Sequence, residues 1–178
     1  LIVAVEIGIA VAALLALRSL ARSTAATEER LPEEALDELL LQADDDADDD
    51  AVEAEQQAAL LRERIVTYRL DGALFFGAIQ RFLRELTEVD DVDVVILRFP
   101  ELQVLDASGG QALGELIDEL EGRGITVLIK GPKEHHLRIL REVGAIDRLA
   151  HQNHLFTDLD AAIAHARSHV ERRHALAG

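Results

Sequence analysis

The sequence predicts an α/β fold in which helices pack on one β-sheet, formed by the last two thirds of the chain. Apolar runs at residues 91–102 and 125–131 lack the alternation of half-buried strands and are typical of strands covered on both faces. Segments around them repeat apolar residues with helical spacing, so strands and helices alternate from residue 64 to residue 173. Hydrophobic residues make up 49% of the chain but aromatic residues only 3%, which predicts an aliphatic core.

The N-terminal segment, residues 1–17, is apolar except for one glutamate, and Arg18 and Arg22 follow it. A membrane span needs about 20 apolar residues, so residues 1–22 are interpreted as the end of a transmembrane helix, which the family resemblance given below implies is the last one of a membrane domain. The arginines at its C-terminal flank indicate that residues 23–178 lie on the cytoplasmic side of the cell's inner (plasma) membrane. A buried or amphipathic helix is the alternative. Because the chain contains no Met, we expect it to be a fragment or a processed product of a longer one.

Residues 23–63 are predicted to be an acidic linker with short helices, one of them over residues 51–64. The segment holds 15 acidic and 2 basic residues and so carries −13 of the net charge of −16. Such a charge repels phosphate backbones, which argues against nucleic acid as a partner. Part of the segment matches positions 1, 3, 5 and 12 of a calcium loop, with Asp44, Asp46, Asp48 and Glu55. The sixth position is Asp49 where the loop needs glycine, so a solvated linker is preferred.

The elements of the α/β segment are predicted in order from their periodicity and end signals. A strand over residues 64–72 places Ile65 and Thr67 on one face and Val66 and Tyr68 on the other. The later predictions are a helix over 73–89, a strand over 91–102 with a short extension at 104–106, a helix over 108–121, a strand over 125–131, a helix over 133–144, a short strand at 154–156, a helix over 157–173 and a tail over 174–178.

The corner "VLDASGG", residues 104–110, lies between a strand and a helix and is the main candidate site. A hydrolase elbow needs glycine two residues before the serine, and Asp106 is there instead. A phosphate-binding loop needs a lysine, and none occurs between residues 99 and 129. We therefore predict no catalytic residue. The remaining interpretation of the corner is structural: Asp106 or Ser108 caps the helix, and Gly109 and Gly110 allow the backbone to turn tightly. With the same geometry, the backbone N–H groups from Asp106 to Gly110 could form a modest binding site for an anion or a nucleotide.

Metal and cofactor sites are not predicted. The chain has no cysteine, which excludes thiolate ligands and disulfides. The pairs His151/His154 and His165/His169 have spacings that suit a shared helix face, but no third ligand is evident for either pair. They are interpreted as ordinary surface histidines.

From residue 64 to residue 173 the chain resembles a STAS domain, the module shared by anti-sigma-factor antagonists and by the cytoplasmic tails of SulP-type anion transporters. "LDGALFFGAIQRF" resembles the opening of the SulP version. "VVILRFPELQVLDASGGQAL" resembles the STAS signature, a buried strand followed by Asp-x-Ser/Thr-Gly. "GITVLIKG", "LREVGAIDRL" and "HLFTDLDAAIAHA" resemble the rest of the module in order and spacing.

This resemblance implies a STAS-type mixed sheet and, with the apolar N-terminus, a non-catalytic regulatory or assembly domain of a SulP-like transporter of sulfate, bicarbonate or dicarboxylate. The implied partners are the membrane domain of the same chain, a second copy in a homodimer and a cytoplasmic regulatory protein. The antagonists carry a phosphorylated serine directly after the aspartate, and here Ala107 is there, so no phosphorylation is expected. A membrane-tethered partner-switch protein and a nucleotide- or anion-sensing module are the alternatives.

Overall fold

The computed structural model of the chain describes residues 25–29, 48–74 and 91–177, together with Ile79 and five positions before residue 13. The strands are β1 (Ala25–Glu29), β2 (Ile65–Leu74), β3 (Val94–Arg98), β4 (Leu102–Leu105), β5 (Thr126–Lys130) and β6 (Leu155–Phe156). The helices are α1 (Asp48–Arg64), α2 (Ala107–Gly122), α3 (Glu134–Glu142) and α4 (Leu159–Ala177), and two short 3-10 helices cover Ile146–Arg148 and Gln152–His154.

The strands form a mixed six-stranded sheet with the order β1-β2-β3-β5-β6, and β4 pairs with β2. All the pairs are parallel except β1 with β2, which is antiparallel. The register of β2 shifts between Gly72 and Ala73, where its pairing with β4 begins. Parallel neighbours require crossover connections. Helix α2 lies in the connection from β3 to β5, and α3 in the connection from β5 to β6.

Helices cover both faces of the sheet, which explains the continuous apolar strands. One face carries the larger hydrophobic cluster, in which Tyr68 and Val95 pack with α2 residues such as Leu116. The opposite face carries a second cluster, in which Ile96 and Leu128 pack with residues of α1 and α4. The predicted alternation of β2 is confirmed: Val66 and Tyr68 belong to the first cluster and Ile65 to the second.

The predicted strand over residues 91–102 is two strands. β3 ends at Arg98, and Pro100 lacks the N–H that a continued ladder requires. Leu102 N donates to Phe99 O at 2.9 Å, which closes a turn before β4 begins. The segment predicted as a short extension of β3 therefore pairs with the far end of β2 and places the corner at residue 106 beside that end.

The N-terminal half differs most from the sequence-based expectation. A strand, β1, forms at residues 25–29, inside the segment predicted as linker, and pairs with β2 from Ala25↔Asp71 to Glu29↔Thr67. Its sequence, AATEE, is polar and has no strand periodicity, so pairing with β2 rather than local pattern accounts for it. The predicted helix at 51–64 is confirmed as α1, and its helical residues include Asp48 to Glu55, which a calcium loop would need in a loop conformation.

Two predictions fall largely outside the described residues. Of the helix predicted over 73–89, the structure describes its start within β2 and Ile79, which is helical and buried. Of the N-terminal segment it describes five helical, exposed positions, among them Val5 and Ile9. Among the helices that the structure describes, none combines the length and the apolar character that a membrane crossing requires.

Candidate functional site: the corner between β4 and α2

The side chain of Asp106 caps helix α2. Asp106 has an extended backbone, with φ −103° and ψ 175°, and its Oδ1 atom accepts a hydrogen bond from Gly109 N at 2.7 Å. Ser108 Oγ donates to the same oxygen at 2.8 Å. The first intrahelical bond, from Gly110 N to Asp106 O at 2.9 Å, begins here as well. The predicted cap is therefore confirmed for Asp106, and Ser108 holds the capping carboxylate in place.

The electrostatics of this corner follow from the cap. The N-terminus of a helix carries a partial positive charge that favours anions. In this corner the anion is the Asp106 carboxylate, which already takes the N–H of Gly109. A sulfate or nucleotide phosphate near Ala107 would meet that carboxylate at close range. Anion or nucleotide binding by residues 106–110 stays a prediction.

The second glycine of the corner serves helix packing. A Cβ atom on Gly110 would lie 3.1 Å from Val143 Cγ2 and 3.4 Å from Ile139 Cγ2. Both contacts are with the end of α3, so the missing side chain lets α2 and α3 approach closely. Gly109 and Gly110 are both buried in this contact region.

The outer side of the corner faces solvent. Ala107, Ser108 and Gln111 are exposed on the first turn of α2, and Val104 on β4 is 49% exposed. These four residues form a small, mostly uncharged surface patch, the corner patch.

The match to known families extends beyond this corner. The family model described as "STAS domain" matches residues 56–162, more than half of the chain. The chain belongs to the STAS domain family. No curated protein sequence matches the chain significantly.

Solved STAS domains of transporters share the fold. A sulfate transporter family protein from Wolinella succinogenes is 31% identical, with a TM-score of 0.55, and the match covers 60% of this chain and 88% of that one. A SulP transporter STAS domain from Vibrio cholerae is 28% identical, with a TM-score of 0.55, and the match covers 62% and 86% of the two chains. The murine Solute Carrier 26 family member A9 anion transporter matches at 17% identity and a TM-score of 0.52, over 58% of this chain and 18% of that one, which shows a shared fold.

Within this STAS domain, Ala107 is the first residue of α2 and is exposed. The resemblance to the antagonists assigns a phosphorylated serine to that position. A methyl group cannot be phosphorylated, and Ser108 one residue later uses its hydroxyl to bind Asp106. The absence of phosphorylation at residue 107 stays a prediction.

Sequence reasoning did not find a cleft of about 560 Å³ at the ends of β2 and β3. Its lining includes Arg69 and Arg98, together with Asp71 and Glu101. Arg69 Nε lies 3.0 Å from Asp71 Oδ2, so part of its charge is compensated. The available signal was the position of Arg98 and Glu101 at and just after the carboxyl end of a buried strand, where parallel sheets place their clefts.

The structure brings the two histidine pairs of the sequence together. The interpretation of these residues as surface histidines is wrong for His154, which is fully buried. Its ring centroid lies 5.3 Å from that of His165 and 5.3 Å from that of His169. Exposed His151 is 5.2 Å from His154 between centroids. Sequence reasoning treated each pair separately, because nothing local indicates that a loop before β6 meets helix α4.

Burial shifts the pKa values of these histidines. Desolvation, followed by the nearby His169 and His165, lowers the pKa of His154 to about 4. Desolvation and then Arg172 lower the pKa of His169 to about 4, and the same two causes lower the pKa of His165. The backbone of Val127 opposes the shift at His154, although neither ring nitrogen has a hydrogen bond of ordinary geometry. The three rings are neutral at neutral pH.

Proposed function

We propose that this STAS domain is the non-catalytic cytoplasmic regulatory and assembly domain of a SulP-like secondary anion transporter. The observation that carries the proposal is the 31% identity over 88% of the sulfate transporter family protein from Wolinella succinogenes. The likeness to the Vibrio cholerae SulP domain, at 28% identity over 86% of that chain, supports it. The anion is of the sulfate, bicarbonate or dicarboxylate class.

The N-terminal segment fits this arrangement as the end of the membrane domain. Its described positions include Val5, Ile7 and Ile9, which expose more than half of their surface in the isolated chain. Large exposed apolar side chains on a helix suit contact with lipid or with other helices. Because β1 already pairs with β2 from residue 25 on, the acidic residues that follow would keep the domain off the anionic inner leaflet by charge repulsion.

The corner patch is proposed as a surface for protein contact. Its core is a self-capped helix start, in which the Asp106 carboxylate fills the position that an anion would take. The exposed residues around it, Ala107, Ser108 and Val104, offer a small uncharged area for the membrane domain, a second copy or a regulatory protein. Control of transport would then act through contact rather than through phosphorylation at residue 107.

The test is anion uptake by cells that produce the complete polypeptide containing this chain. Uptake of labelled sulfate, bicarbonate and dicarboxylate is measured with the intact polypeptide and with one that ends after residue 63. We expect uptake of at least one of these anions, and a strong loss of uptake or of membrane-inserted protein on truncation.

Two outcomes would contradict the proposal. One is an intact, membrane-inserted polypeptide that takes up none of the three anions. The other is a truncated polypeptide whose uptake and abundance equal those of the intact one. A stable complex with a kinase or sigma-factor regulator, without any uptake, would instead support the partner-switch alternative.

A further inference from the structure

Three histidines from two elements on either side of β6 converge on one point. His165 and His169 lie one turn apart on α4, so their side chains share a helix face. His154 ends the 3-10 helix directly before β6. One ligand nitrogen from each of the three rings lies within 4.8 Å of the others, and His165 Nε2 is 3.2 Å from His169 Nε2.

The central ring, His154, lacks the partners that a buried imidazole normally has. It is fully buried, and neither Nδ1 nor Nε2 has a hydrogen bond of ordinary geometry, although the backbone of Val127 lies near the ring. Burial of a polar group without a partner is destabilising, so such groups are rare and call for an explanation. A cation bound to one ring nitrogen would supply the missing interaction.

We propose that His154, His165 and His169 bind a divalent transition-metal cation of the zinc class, with a fourth coordination position on the side of exposed His151. Zinc–imidazole bonds of about 2.0–2.1 Å place tetrahedral ligand nitrogens about 3.3–3.4 Å apart. The separation of 3.2 Å between the two α4 nitrogens is close to that value. Imidazole nitrogens without carboxylates favour zinc, copper or nickel over magnesium or calcium.

Two arginines near the three histidines oppose cation binding, and the neutral state of the histidine rings favours it. Arg172 and Arg173 lie close enough to disfavour a cation. Arg173 is bound to Asp93, at 2.7 Å between Nη1 and Oδ1, and Arg172 donates to Ser168 O, so both guanidinium groups are engaged elsewhere. The low pKa values leave the rings neutral, and a neutral imidazole is the form that binds metal.

Metal binding would join the C-terminal helix to the edge of the sheet. β6 has only two residues, and α4 carries the second hydrophobic cluster. A cation held by His154 at the start of β6 and by two residues of α4 would cross-link these elements. The site would stabilise this end of the domain and make its stability depend on metal supply. It is independent of the proposed function in transport.

The experiment is titration of the untagged full chain with ZnCl₂ by calorimetry, with Mg²⁺ in excess to occupy the acidic residues between 44 and 50. We expect one zinc per chain, and a rise in Tm of about 5–10 °C at a zinc concentration a hundredfold above Kd. Cobalt(II) as a second probe should give the intense visible absorption of tetrahedral coordination.

Variants identify the ligands. His165→Gln and His169→Gln, on half-buried surface positions, should each weaken zinc binding at least about tenfold. His154→Phe keeps a buried ring and should fold without tight zinc binding. His174→Gln, an exposed change on the same helix, is the matched control and should bind like the unaltered chain. The proposal is overturned if the unaltered chain binds no stoichiometric zinc, or if the folded His154→Phe and His169→Gln chains bind as tightly as the control.

Discussion

Ser108 Oγ lies 2.8 Å from Asp106 Oδ1, so the serine of the STAS signature supports the capping aspartate instead of facing a substrate. The same oxygen accepts from Gly109 N at 2.7 Å. The carboxylate therefore serves as a built-in anion at the start of α2. This arrangement fixes what substitutions at the corner should do.

Replacing the capping aspartate should cost stability. Asp106→Ala removes the acceptor for Gly109 N and should lower the free energy of unfolding by about 1 kcal/mol, within the usual range of 0.5–2. Ser108→Ala leaves that acceptor in place and should cost less. Urea unfolding followed by circular dichroism measures both. Equal losses for the two variants would mean that the Ser108 bond, and not the cap, stabilises the helix start.

The filled helix terminus should also determine the response to anions. In NMR spectra of a chain of residues 48–178, the amide signals of Ala107 to Gln111 should not shift when sulfate, bicarbonate or ATP is added. The Asp106 carboxylate should repel these anions. Asp106→Ala should permit weak shifts with sulfate at these amides. Shifts confined to this corner in the unaltered domain would show instead that it is a ligand site and the domain a sensor.

The close approach of α2 and α3 should make Gly110 sensitive to size. Gly110→Val places side-chain atoms against Val143 and Ile139 and should cost about 1–3 kcal/mol. Gly122→Ala is the control, since nothing lies within 4 Å of a Cβ there, and alanine should stabilise the end of α2 by several tenths of a kcal/mol. Thermal unfolding compares them. A Gly110→Val chain as stable as the control would contradict the packing argument.

A half-buried ion pair should be costly to break from one side. Asp93 has a side chain only 6% exposed and pairs at 2.7 Å with Arg173, whose side chain is 46% exposed. Arg64 Nη1 is more distant, at 4.0 Å. Arg173→Ala would leave a buried carboxylate less well compensated and, because solvent screens the exposed guanidinium, should cost about 1–2 kcal/mol. Arg141→Ala breaks an exposed pair with Glu134 and should cost less than about 0.5 kcal/mol in urea unfolding. Similar losses for both variants would mean that Asp93 gains little from Arg173.

Acid should destabilise the domain through His136. This residue of α3 is fully buried near Phe99, and desolvation, then His135 and Lys133, lower its pKa from 6.5 to about 4. The unfolded chain takes up the proton first as the pH falls. The stability contribution of the neutral ring is therefore complete above pH 6.5 and is lost as the pH falls towards 4. The loss is on the order of 3 kcal/mol.

His136→Phe should remove this part of the pH dependence, because a buried phenyl ring has no proton to gain. The free energy of unfolding is measured in urea above pH 6.5 and again near pH 4 for the unaltered chain, for His136→Phe and for the exposed control His174→Gln. An unchanged difference between the two pH values in the folded His136→Phe chain would show that His136 does not drive the acid sensitivity.

The sequence by itself determined the α/β class, the order of β2, β3, β5 and β6 with helices α2 to α4, the capped corner at Asp106 and the absence of a hydroxyl at Ala107. These features depend on residues close together in the chain, on periodicity and on end signals such as the glycine at φ +72° after α3, Gly144. Even the family resemblance is carried by short contiguous stretches.

The tertiary structure alone decided which distant elements meet. Polar β1 carries no strand pattern and forms only by pairing with β2, and β4 is a separate strand because Pro100 interrupts the ladder and β2 offers a free end. Tertiary packing also brings Gly110 close to α3 and brings His154 close to His165 and His169. Packing of helices on both faces of a parallel sheet juxtaposes residues that no local periodicity connects, so these contacts are fixed by the whole fold.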